Sequence, residues 1–197
     1  MKIFISHSHQ NDNAAKALVD FLLSSLSLED SDIRCTSVPG HQLRFGKSIA
    51  ELLKADISEA PVLIAMISKE SVGSDWVLFE LGAAWGLNRD LYPILGPSLQ
   101  IKDLPGPLSA VPCVEIESPD APSRMSDLVQ QLAEDLQVAT RNGGKAQANL
   151  DNFLKQYKSG PKSTASTGSS LTKAENAEDT ILLVIWRLHE SEYDEHG

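Results

Sequence analysis

Val62-Leu63-Ile64-Ala65-Met66-Ile67-Ser68 is an unbroken apolar run of strand length. A strand apolar on both faces belongs in the middle of a parallel sheet covered by helices on each side. Working outward, 2–6 is a short β-branched and aromatic strand, and 33–36 is another. Between them Asn11 or Asp12 caps a helix whose Ala14, Ala17, Leu18, Phe21 and Leu22 recur at helical spacing. A loop at 37–46 leads to a helix at 48–59 that buries Ile49, Leu52, Leu53 and Ile57. Downstream come a helix around Glu80, strands at 91–95 and 113–116, and a helix at 123–137 with Met125, Leu128, Val129, Leu132 and Leu136. Five strands alternating with helices predict an α/β fold, a flavodoxin-like doubly wound five-stranded parallel sheet in the order 2-1-3-4-5. Ligands in such sheets sit beyond the carboxyl ends of the strands, near the switch between the first and third. Ser6-His7-Ser8-His9, the loop 37–46 and the loop 69–75 line that edge.

The chain has 197 residues, 42% hydrophobic and 22% charged, enough to bury a core. Its net charge of −10 argues against sequence-independent binding to nucleic acid or to an anionic membrane. No apolar run approaches the roughly 20 residues of a bilayer span. Cys35 and Cys113 lack zinc or redox spacing and are expected to be reduced core thiols. With no signal-peptide pattern at the start, they point to a cytoplasmic protein. The periodic segments define a domain over 1–138. Gly143-Gly144, Ser159-Gly160-Pro161 and the Ser/Thr-rich run at 163–170 predict a flexible linker over 139–170, with a short helical turn at 149–157. Residues 171–197 form a helical segment in which Ile181, Leu182, Leu183, Val184, Ile185, Trp186 and Leu188 need a packing partner. That partner is the domain, a second copy, or a further module that begins here.

Glu80 is the only ionisable side chain from Trp76 to Leu87. A helix this apolar is expected to be buried, Trp85 included, and a buried carboxylate costs free energy unless it is paired or used. Trp76, four residues earlier, shares its helical face. One acid beside one large aromatic reads as a reaction site; a core acid satisfied by an Arg or by backbone donors is the alternative. The spacing His7-x-His9 invites a metal, but no third ligand accompanies it, so no metal is expected and the two are read as solvated loop histidines. Asp12 is read as a structural cap, and Glu115, Glu117, Glu175 and Glu178 as solvated charges.

Phe4-Ile5-Ser6-His7-Ser8, Asp12 near its helix start, the loop from Pro39-Gly40 to Phe45-Gly46, and Ser74-x-Trp76-x-x-x-Glu80 together resemble a Toll/interleukin-1 receptor (TIR) domain. The resemblance covers 1–138 and is strongest to the prokaryotic type that serves in defence against phage. It implies an enzyme that cleaves the nicotinamide–ribose bond of NAD⁺, with NAD⁺ as substrate and no cofactor. It makes Glu80 catalytic and places Ser6, His7, Ser8, His9, Arg44, Phe45 and Trp76 in substrate binding. Relatives often carry an aromatic or basic residue after the first-strand serine, where His7 stands here. The resemblance also implies self-assembly with other TIR copies through the loop 37–46. A sensor or activator protein, or a nucleotide signal, is the expected trigger.

Two other functions remain open from the residues. One is a non-catalytic TIR–TIR interaction module. The other is a nucleoside deoxyribosyltransferase-like enzyme, which shares the architecture and uses a glutamate at a ribose.

Overall fold

The computed structural model describes residues 1–35, 57–69, 71–72, 75–104, 106–141 and 143–160, with backbone alone at 9, 75–80 and 107. Its strands are β1 (Ile3–Ser6), β2 (Ile33–Cys35), β3 (Val62–Ile67), β4 (Asp90–Leu95) and β5 (Val114–Glu115). They form one parallel sheet in the order β2-β1-β3-β4-β5, as the sequence predicts. Side chains alternate across a strand, and the apolar run of β3 uses both sides. Val62, Ile64 and Met66 join a core built with α1 (Asp12–Ser25), α3 (Ala121–Asp135) and α4 (Gly144–Lys158). Leu63, Ala65 and Ile67 join a second core with Ile57, and with Leu81, Ala83 and Ala84 of α2 (Asp75–Gly86).

Pro93 lies inside β4 without breaking it. Gly96 N–H donates to the Ile67 carbonyl and Ile116 N–H to the Leu95 carbonyl, so the odd residues of β4 face β5. Pro93 therefore lacks its N–H on the side where β5 pairs only with Ile94 and Leu95. Two helices close on left-handed residues: Asn88 (φ 50°) after α2 and Gln137 (φ 53°) after α3. The following amides reach back, Arg89 N–H to the Ala84 carbonyl and Val138 N–H to the Ala133 carbonyl.

Three expectations are corrected. Within the predicted linker 139–170, residues 144–158 form a 15-residue helix rather than a short turn. Leu150, Phe153, Leu154 and Tyr157 of α4 are buried against α1. The approach to it is also pinned. Ser27 N–H donates to the Ala139 carbonyl, Arg141 N–H to the Ser25 carbonyl, and the Arg141 guanidinium to the Leu23 carbonyl at 3.1 Å. The folded body thus extends past 138; 161–197, including the predicted 171–197 segment, lies outside the described residues. Trp85 is 53% exposed, because α2 turns Leu81, Ala83 and Ala84 to the sheet and its last turn carries the indole outward. Glu115 and Glu117 are more than solvated charges. They accept the Ile101 and Ser98 amides at 3.2 and 2.9 Å and so anchor the connection between β4 and β5.

Candidate functional site

β1 is flanked by β2 and β3. Ser6, its last residue, pairs with Ala65 and is buried. The His7 side chain is 1% exposed, which corrects the expectation of a solvated loop histidine. Its Nδ1 lies 2.9 Å from the Ser8 carbonyl oxygen. A carbonyl can only accept, so Nδ1 carries a proton. Asp12 Oδ1 is 3.7 Å from the same Nδ1, beyond hydrogen-bond length but close enough to act electrostatically. Asn11, not Asp12, holds the cap position of α1, and it makes no side-chain cap bond. Its amide instead donates to Ser8 Oγ at 3.2 Å, and its N–H to the Ser8 carbonyl at 2.9 Å. Asp12 is the first helical residue, where a negative charge suits the helix dipole. His9 belongs to the single 3-10 turn His9–Asn11, and its side chain is outside the described residues.

β3 leaves the same edge through a buried serine turn. Ser71 Oγ accepts from Ser68 N–H at 2.8 Å and bonds the Ser68 carbonyl at 3.2 Å, which also accepts the Ser71 and Val72 amides. The pair is a hydroxyl-built turn that sequence reasoning passed over; Ser68-x-x-Ser71 directly after a buried strand was its signal. Beyond it α2 begins at Asp75, with Trp76 and Glu80 in its first half. The topology therefore brings the ends of β1 and β3, and the helix that bears Trp76 and Glu80, to one edge. Arg44, Phe45 and the whole loop 37–46 lie outside the described residues.

A family model described as "TIR domain" matches residues 3–133. The chain belongs to the TIR-domain family. This TIR domain is also 34% identical over 84 residues to "Uncharacterized protein YddK" of Bacillus subtilis (strain 168), a match covering 43% of this chain and 31% of that protein. The chain thus spans under a third of that relative's length.

No group of three or more His, Cys, Asp or Glu placed to hold a metal occurs among the described residues. None of their helices is long and apolar enough to cross a membrane. A cavity of about 350 Å³ lies between β4 and α3, lined by Asp90, Tyr92, Pro93, Cys113, Arg124 and Asp127 among others; Ser6, His7 and Ser8 take no part in its lining. Burial, then the Glu115 charge, pushes the Cys113 thiol up. Burial, together with a hydrogen bond and the charge of Asp135, holds the Tyr92 phenol protonated well above its ordinary range.

Proposed function

We propose that this TIR domain cleaves the nicotinamide–ribose bond of NAD⁺. The observation that supports it is topological. The sheet order sets Ser6, His7 and Ser8 beside the exit of β3, and α2, with Trp76 and Glu80 four residues apart, starts from that exit. In NAD⁺ the nicotinamide is already a cationic leaving group, so its departure needs no general acid. Positive charge develops on the ribose carbon, and the Glu80 carboxylate stabilises it while accepting hydrogen bonds from the ribose hydroxyls. Trp76 supplies a stacking wall. Ser6 and His7 form the floor of the pocket and Ser8 its rim, with His9, Arg44 and Phe45 completing the contacts to the nucleotide. Attack by water gives ADP-ribose; attack by a group on the same substrate gives a cyclic ADP-ribose. Assembly of copies through the loop 37–46 raises activity, in the setting of antiphage defence that the resembled family implies.

A second reading, a non-catalytic module that contacts other TIR domains, draws support from the exposed indole of Trp85 on the same helix. Incubation of the purified full chain with NAD⁺ at low and high protein concentration separates the two. In the first reading nicotinamide appears, and a folded Glu80→Gln variant loses about 10²- to 10³-fold in rate. Wild-type cleavage by that variant, or none by the wild type at either concentration, refutes the assignment.

A further inference from the structure

Tyr157 lies outside the family's matched span, on α4, yet its hydroxyl reaches the carboxyl edge of the sheet. It is 3.1 Å from the Ile67 carbonyl oxygen and 3.2 Å from that of Ile94, at the ends of β3 and β4. The residue is 1% exposed. Phe153 stacks on its ring at a centroid separation of 5.7 Å. From the other side Gly96 closes in, where a Cβ would stand 3.3 Å from both Cζ and Oη of Tyr157. The Ile67 carbonyl thus receives two donors, this hydroxyl and Gly96 N–H at 2.8 Å. The next residue is Ser68, which begins the buried serine turn into α2.

We infer that Tyr157 is a positioning residue: it ties the exits of β3 and β4 together from α4 and so fixes the serine turn that launches the helix carrying Glu80. One phenolic proton shared between two carbonyls adds a side-chain tie to the ladder that already pairs Ile67 with Leu95, at the point where the strands end. The ring, wedged between Phe153 and Gly96, has no room to follow a displaced strand. Catalysis by a single carboxylate depends on the placement of its helix, and that placement is inherited from the turn. The effect on turnover rests on the NAD⁺-cleaving reading; the effect on the strand exits does not.

The test uses the full chain with Tyr157→Phe, which keeps the ring, and Gly96→Ala, which disturbs the same contact from the strand side. Leu150→Ala serves as a control that loosens α4 two turns away from Tyr157. Amide hydrogen exchange is followed at Ser71, Val72 and Gly96, and NAD⁺ turnover is measured per folded molecule. Loss of one buried hydrogen bond should speed exchange at these amides about tenfold in Tyr157→Phe. Gly96→Ala should do the same at Ser71 and Val72, and both should lower kcat with KM nearly unchanged. Leu150→Ala should lower thermal stability with turnover kept. Unchanged exchange at the three amides overturns the inference, as does faster exchange with wild-type kcat. If the wild type leaves NAD⁺ intact, the functional reading falls, and the exchange data alone decide whether Tyr157 fixes the strand exits.

Discussion

Phe153→Ala distinguishes a linker from an integral helix. Phe153 is fully buried, stacks on Tyr157, and sits in the core that α4 shares with α1. Removing a buried phenylalanine ring costs about 3–5 kcal/mol, through lost burial plus the cavity left behind. Collapse of that cavity is hindered because Tyr157 is held by two carbonyls and Asn149 fixes the helix to α1 through the Asp20 carbonyl at 3.0 Å. For a domain of this size each kcal/mol lowers Tm by about 2–4 °C, so the expected drop is about 6–20 °C. That is a large share of the roughly 5–15 kcal/mol that holds a domain folded. Gln156→Ala, an exposed position on the same helix, should change stability by less than about 0.5 kcal/mol. Thermal unfolding followed by circular dichroism reads both. A drop of under about 2 °C for Phe153→Ala would show that the helix is dispensable and that the folded unit ends near 138 after all.

The Tyr92 phenol is raised in the folded state, so its share of stability is intact below the unfolded value near pH 10 and is lost as pH climbs above it. The urea midpoint should fall more between pH 8 and pH 11 for the wild type than for Tyr92→Phe, and equal falls would remove Tyr92 from the account. The half-buried Cys113, its thiol held protonated, should react with iodoacetamide at neutral pH more slowly than a free cysteine, and the buried Cys35 only on unfolding. Mass spectrometry of labelled peptides reads both, and modification of Cys35 in the folded protein would contradict its burial.

Most of the sheet was legible because its strands are nearly all core. The run from Val62 to Ile67 has no polar residue to confuse its reading, and the spacing Ala14, Ala17, Leu18, Phe21, Leu22 has one helical interpretation. α4 was equally periodic, since Leu150, Phe153, Leu154 and Tyr157 stand at i, i+3, i+4 and i+7. What hid it was the glycines on either side, which read as linker punctuation. They are helix ends instead: Gly143 holds the cap position in extended backbone, and Gly160, at φ 67°, follows the last turn in the left-handed region. Trp85 failed for a different reason. An apolar composition on all sides carries no moment, so the sequence of α2 could not say which residues turn to the sheet.

The sequence names candidate residues after β1 and β3 but not the environment in which they sit. A histidine just after a strand suggests a loop in water, and that holds for a strand at the edge of a sheet. β1 is interior to the sheet, between β2 and β3, and the His7 side chain is buried where a solvated ring was expected. Burial changes what the ring can do. With Nδ1 committed to the Ser8 carbonyl, the orientation of the imidazole is fixed by the backbone of Ser8. Ser8 is itself held by Asn11 through both its hydroxyl and its carbonyl. The start of α1 therefore orients His7, and a serine turn likewise holds the chain as it leaves β3. In both places short side-chain-to-backbone bonds hold the chain at a strand exit. Such bonds depend on which strands are neighbours, and that information appears only once the sheet is assembled.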